Sequence, residues 1–116
     1  MPLIRIETSP PLEAATARAL AARMSRVAAE TLGKPEHYVM VVVKGATYIH
    51  MSGQAGPAAF VDVRSIGGLN DAATDALCRE LAAALGELAA IPAERVFSTY
   101  TEVEARSWGH GSDVLG

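Results

Sequence analysis

The sequence predicts an α+β fold in which two β-α-β repeats form a four-stranded sheet with two helices on one face. The first observation is an internal repeat, because segment 2–43 aligns with segment 59–100 without a gap. The second is the order strand, helix, strand in each copy. Positions that are apolar in both copies include Leu3 with Phe60, Ile4 with Val61, Ile6 with Val63, Leu20 with Leu77, and Met24 with Leu81. We therefore expect one domain spanning residues 1–116.

Apolar periodicity places the elements of each copy. Apolar and charged residues alternate over Leu3–Glu7 and Phe60–Arg64, which is typical of half-buried strands. After the strand, each copy has apolar residues at helical spacing. The first helix ends at Gly33 and Pro35, and the second ends before Pro92. The first helix is predicted from about Leu12 to Leu32, with the stripe Leu20, Met24, Val27, Ala28 and Thr31; the second carries Leu77, Leu81, Ala84, Leu85 and Leu88. The closing strands are Val39–Val43 and Val96–Tyr100, reached by right-handed crossovers.

The run Val39–Val43 predicts an assembly of several chains. It lacks polar alternation, so both of its faces favour burial. Two helices can cover only one face of the sheet, and the chain has no further segment for the other face. We therefore expect a homo-oligomer with closed symmetry.

Composition excludes several classes of function. The net charge is -3 and no basic stripe is present, so nucleic acid is not an expected partner. No apolar run is long enough to span a membrane and no secretory signal is present, which predicts a cytoplasmic protein, although export by a route without a leader would leave no trace. The single cysteine, Cys78, excludes an internal disulfide and is expected to be a small buried residue.

Known catalytic motifs and metal-ligand patterns are absent, so no metal or cofactor is expected. His37, His50 and His110 show no ligand spacing, and we expect them to be solvated or packing residues. Gly109, Gly111 and Gly116 weaken regular structure in the C-terminal tail.

Pro2 is the one unusual candidate base. Removal of Met1 before this small residue would leave a secondary amine at the start of a strand. A free α-amino group has a pKa near ~8, and an apolar pocket or a cation such as Lys34 would lower it. The neutral amine could then take a proton from a carbon next to a carbonyl group. The alternative is that Pro2 is only a rigid chain start.

Five segments make the sequence resemble a known family. They are MPLI at 1–4, TLGKPEHYVMVVV at 31–43, RSIGGLN at 64–70, IPAERVFSTY at 91–100, and Trp108. In this order they resemble the macrophage migration inhibitory factor (MIF) branch of the tautomerase superfamily over the whole chain. The resemblance implies the tautomerase fold and a homotrimer with active sites between neighbouring subunits.

The resemblance also implies the roles of individual residues. Pro2 matches the amino-terminal catalytic acid/base, and Lys34 matches the pocket lysine that binds a substrate carboxylate. A cation at this place could instead serve the dipole of the preceding helix. Ile66 matches a residue whose backbone contacts the substrate, and Tyr38 and Trp108 match the apolar wall or the neighbouring core and interface.

Two departures from the family pattern affect substrate preference and redox chemistry. Phe97 replaces a pocket tyrosine and Thr99 replaces a pocket asparagine, so hydrogen bonding to a substrate is expected to differ. Ala58 and Val61 replace the two cysteines of a redox motif, so thiol oxidoreductase activity is not expected.

The function implied is keto–enol tautomerisation of 2-oxo acids resembling phenylpyruvate, without a cofactor. One alternative is a cytokine-like binding protein that keeps the pocket without a physiological reaction. Another is a dehalogenase or decarboxylase, which uses the proline in protonated form with added arginines and an acid. Arg64, Arg106 and Glu36 are the candidates for those additions.

Overall fold

The architecture follows the predicted order in a computed structural model that describes residues 1–116. Two strand–helix–strand units are followed by a short C-terminal hairpin. Three 3₁₀ turns, Glu36–Tyr38, Ala93–Arg95 and Ala105–Ser107, precede strands. The elements are β1 (Pro2–Thr8), α1 (Ala14–Leu32), β2 (Met40–Lys44), β3 (Ala59–Ser65), α2 (Asp71–Ala89), β4 (Val96–Glu102), β5 (Gly109–His110) and β6 (Asp113–Val114).

The main sheet has the strand order β2-β1-β3-β4. Within each unit the two strands are parallel, and the units meet through the antiparallel pair β1 and β3. Leu3 therefore lies beside Met40 on one side and Arg64 on the other. This arrangement is the predicted four-stranded sheet, with β2 and β4 as its edges.

The hydrophobic core lies between the sheet and the two helices. It contains the predicted stripe residues Leu20, Met24, Leu77 and Leu81, all with no exposed surface. The opposite face of the sheet carries exposed apolar side chains, including Met40 (61% exposed), Val42 (41%) and Phe97 (65%). The helices thus cover one face only, as the sequence predicted. No helix of the chain has both the length and the apolar character needed to cross a membrane.

The two helices end in the same backbone conformation with different residues. Gly33 follows α1 with φ 63°, and Ala90 follows α2 with φ 55°. Only glycine adopts this left-handed conformation without steric cost. At the other end, α1 begins at Ala14, two residues after the predicted start near Leu12.

One sequence-based expectation, a buried Cys78, was wrong, and the C-terminal tail is more regular than its glycines indicated. Cys78 is exposed rather than buried, with its Sγ 3.9 Å from the Ser98 Oγ. It lies on the flank of α2 toward β4, and because β4 is an edge strand no further element covers that flank. The C-terminal tail also contains a regular hairpin, β5–β6, which Gly111 allows by adopting φ 62° at the turn.

Candidate functional site

A cavity of about 470 Å³ opens at the amino end of β1. Its volume lies in the range of small-molecule sites. The cavity is lined by Met1, Pro2, Leu3, His37, Tyr38, Val39, Met40, Trp108, Gly109, His110 and Gly111. This lining is mainly apolar or aromatic and includes no carboxylate.

The strand pairing explains why three distant segments meet there. Because β1 and β2 are parallel, the 3₁₀ turn before β2 lies at the amino end of β1. Because β1 and β3 are antiparallel, Pro2 pairs with Ser65 at the carboxyl end of β3. The Val103 amide then donates to the Ser65 carbonyl at 2.9 Å, which directs the chain after β4 toward the same end. The C-terminal segment with Trp108 therefore closes one side of the cavity.

Pro2 lies at the buried end of the cavity. Its side chain is fully buried, and it belongs to the paired part of β1. Next to it, burial lowers the pKa of the Met1 terminal amine, and the positive charge of Lys34 lowers this pKa further. An amine at this end of the strand is thus held toward its neutral form.

Lys34 lies beside the cavity and outside its lining. Gly33 turns the chain after α1, and the Lys34 Nζ then donates to the Ile66 carbonyl at 3.1 Å. The structure therefore brings Lys34 and Ile66 together next to the terminal amine. The side chain bonds a loop carbonyl of the second unit, whereas a purely capping lysine would bond the last carbonyls of α1.

Tyr38 and Trp108 line the cavity, but Phe97 and Thr99 do not. The side chains of Phe97 and Thr99 lie on the uncovered face of β4, at the edge of the sheet opposite β2. The Thr99 Oγ1 is 3.4 Å from the Asp62 Oδ1, to which it donates. Within one chain, these two positions are separate from the cavity at Pro2.

The residues considered for a dehalogenase-like site do not line this cavity. Arg64 is paired with Asp62, at 3.2 Å from its Nη2 to the Oδ2, and lines an adjoining groove that shares Leu3, Trp108 and Gly109 with the cavity. The Glu36 carboxylate accepts a hydrogen bond of 2.9 Å from Ser25, and Arg106 is exposed in the turn before Trp108. The lining of the cavity thus supplies neither an arginine nor an acid beside Pro2.

Sequence reasoning missed His37 and His110 as cavity residues. Both line the cavity, and the His37 ring lies 4.2 Å from the Tyr38 ring, centroid to centroid. His37 precedes Tyr38 in the segment at 31–43 that carries the family resemblance, and this position could have identified it as a cavity residue. No comparable signal pointed to His110, because the hairpin that carries it was not predicted.

A second, more open groove of about 510 Å³ lies at the loop between β2 and β3. Its only titratable side chain is Tyr48, and the other lining residues are small or apolar. Ionisable groups are what acid–base chemistry requires, so the cavity at Pro2 is the better candidate site.

The fold and the site define a class of proteins: a duplicated β-α-β unit with a small cavity at the amino end of its first strand. The chain belongs to the macrophage migration inhibitory factor family, whose sequence model matches residues 1–116. It is 28% identical over 116 residues to a macrophage migration inhibitory factor homolog of Brugia malayi, covering 100% of both chains.

Solved structures of the family have the same fold. The structure of the homologue from Prochlorococcus marinus has a TM-score of 0.94 and 34% identity, covering 98% of this chain and 99% of that one. The Toxoplasma gondii protein has a TM-score of 0.93 and 28% identity, covering 97% and 98%. These similarities extend over nearly the whole chain, including the segments that form the cavity.

Proposed function

We propose that the protein is a keto–enol tautomerase of phenylpyruvate-like 2-oxo acids and that amino-terminal Pro2 is its general acid/base. The observation that carries this proposal is a buried proline at the inner end of an apolar cavity, with a lysine beside the terminal amine. Removal of Met1 would transfer the terminal amine to Pro2, one residue further into the strand.

The reaction needs one group that both accepts and donates a proton. The neutral Pro2 amine takes a proton from the carbon next to the 2-oxo group, and the carbonyl oxygen becomes the enolate oxygen. The Pro2 ammonium then returns a proton to that oxygen, giving the enol. The reverse sequence gives the keto form, and no atom or electron is gained or lost. General acid–base catalysis of this type typically contributes about 10²–10⁴-fold to the rate.

Substrate binding follows from the residues beside the base. The Lys34 ammonium has three donors, of which one bonds the Ile66 carbonyl, so others remain for a substrate carboxylate. Tyr38 and Trp108 offer flat apolar surfaces for an aryl group. Substrate contact with the backbone of Ile66 would fix the acid end of the molecule near Pro2.

A homotrimer would complete this site. Phe97 and Thr99 lie on the uncovered face of β4 and cannot contribute to the cavity of their own chain. In a trimer, this face would pack against a neighbouring subunit. Phe97 and Thr99 of one chain would then reach the cavity of that neighbour. Exposed Met40, Val42 and Phe97 also supply apolar area for such an interface.

The test combines intact mass with an assay of phenylpyruvate enol–keto conversion by absorbance. A sample shown to lack Met1 should catalyse the conversion, and Pro2→Gly should lower kcat about 100-fold while KM changes little. Pro11→Gly is a matched control at an exposed proline of the same chain and should keep full activity. Full turnover by Pro2→Gly would exclude Pro2 as the base.

Further measurements on the same processed sample distinguish the other two functions. A processed chain that turns over no 2-oxo acid but binds one protein partner specifically would support a cytokine-like function. Release of halide from a halogenated carboxylic acid, or of carbon dioxide from a 2-oxo acid, without enol–keto conversion would support the dehalogenase or decarboxylase alternative.

A further inference from the structure

We propose that His37 and His110 are specificity residues that select 2-oxo acids with an anionic group at the far end of the aryl ring. The proposal rests on the proposed function, because it assumes that the 2-oxo acid end of the substrate lies at Pro2. It adds a second polar subsite to a cavity otherwise lined by apolar, aromatic and glycine residues.

The two histidines come from separate parts of the fold. His37 lies in the 3₁₀ turn before β2, and His110 lies in β5 of the C-terminal hairpin. Both are exposed, whereas Pro2 is fully buried. The cavity therefore has a buried end at the candidate base and a solvent-facing end with two imidazoles.

The acidic side chains nearest to the two histidines lie outside the lining of the cavity. No carboxylate lines the cavity. On the turn that carries His37, the Glu36 carboxylate is bonded to Ser25 on α1. On the hairpin, Asp113 pairs with His110 across the strands and lies outside the lining. The Lys34 ammonium is held at the Ile66 carbonyl beside the terminal amine.

An aryl 2-oxo acid with a second carboxylate matches this distribution. Its 2-oxo acid end would lie between Lys34 and Pro2, and its ring would lie against Tyr38 and Trp108. The far carboxylate would then accept hydrogen bonds from the imidazole N–H groups of His37 and His110. Unsubstituted phenylpyruvate has no acceptor at that end and would leave both imidazoles to solvent.

The experiment measures kcat and KM for the enols of phenylpyruvate and its 4-carboxy and 4-methyl derivatives. The 4-methyl compound controls for size. The variants His37→Phe, His110→Phe and their combination keep a flat ring and remove the donors. His50→Phe is the matched control, because His50 lies outside the cavity, 6.4 Å from the Tyr48 ring between centroids.

The wild-type protein should prefer the 4-carboxy over the 4-methyl substrate at least tenfold in kcat/KM. Each single cavity variant should lose part of this preference, and the double variant should lose most of it. The loss should come from a higher KM for the 4-carboxy substrate, with kcat unchanged. His50→Phe should keep the preference. Equal kcat/KM for the two substrates, or an unchanged preference in the double variant, would overturn the inference while leaving the proposed function intact.

A protein that turns over none of the three enols would contradict the proposed function, and binding would then decide this inference separately. Calorimetry would compare 4-carboxyphenylacetate with 4-methylphenylacetate as non-reacting ligands. Tighter binding of the dianion that is lost in the double variant supports the subsite, and equal affinities overturn it.

Discussion

Pro2 differs from the other five prolines of the chain in being fully buried. The others lie in loops or turns, whereas Pro2 begins a paired strand and lies against Ser65. Burial disfavours the charged form of an amine, and the adjacent Lys34 acts in the same direction. At the scale of the residue, this environment lowers the pKa of a terminal amine, as the proposed role of Pro2 requires.

Lys34 should contribute to binding more than to turnover. We expect Lys34→Ala to raise KM for phenylpyruvate about tenfold or more, because a hydrogen bond to a charged group contributes about 1.5–3 kcal/mol. Arg26→Ala, at an exposed cation on α1, should change KM little. Steady-state kinetics of both variants test this role, and an unchanged KM in Lys34→Ala would exclude Lys34 as the carboxylate ligand.

The pH profile should report the lowered pKa of the terminal amine. The base must be neutral, so kcat/KM should rise with pH and level off above the pKa of the amine. Because burial and Lys34 both lower this pKa, the rise should have its midpoint below the value of about 7.7–8.0 for a free α-amine. In Lys34→Ala one of the two causes is removed, and the midpoint should move to higher pH. A midpoint that stays or moves lower would contradict the role of Lys34 in the pKa.

At the scale of the element, the ends of α1 and α2 have the same left-handed backbone conformation with different residues. Ala90 adopts it after α2 with a steric cost, whereas Gly33 adopts it after α1 without one. Ala90→Gly should therefore raise the free energy of unfolding by about 1 kcal/mol, and Gly33→Ala should lower it by a similar amount. Chemical denaturation of both variants measures the difference, and destabilisation by Ala90→Gly would contradict the strain at this end.

The long elements could be predicted because their apolar residues repeat over many positions. Periodicity located both helices and all four main strands within a few residues. Short elements carry too few residues to show a period, so the 3₁₀ turns and the β5–β6 hairpin were missed. Cys78 was misplaced for a different reason: helix periodicity identifies a buried face, but which flank is covered depends on the strand order.

The site was predictable to the extent that it lies in continuous matched segments. Pro2, Lys34 and Ile66 lie close together, and Tyr38 and Trp108 lie in the cavity wall, while their roles toward a substrate stay a prediction. Phe97 and Thr99 lie apart from the cavity of their own chain. Their predicted contact with a substrate depends on the arrangement of subunits, which the sequence of one chain does not reveal. His110 required the hairpin, and so the polar end of the cavity became visible only in the structure.

At the scale of the whole molecule, the uncovered sheet face should be the interface of a homotrimer. We expect native mass spectrometry to give three times the chain mass. Val42→Lys should dissociate the assembly, because it places a charge on the exposed apolar edge strand β2. Ala22→Lys adds the same charge on the exposed side of α1 and should leave the trimer intact. A monomeric wild-type protein would contradict this interface.

A comparison of chains with and without Met1 tests Pro2 as the base. Both forms have identical side chains from Pro2 onward, but only the processed form has a free amine on Pro2. Intact mass would quantify each form in separated fractions, and the phenylpyruvate enol–keto assay would give the turnover per chain. We expect turnover in proportion to the fraction of chains that lack Met1. Equal turnover by chains that retain Met1 would show that the Pro2 amine is not the base.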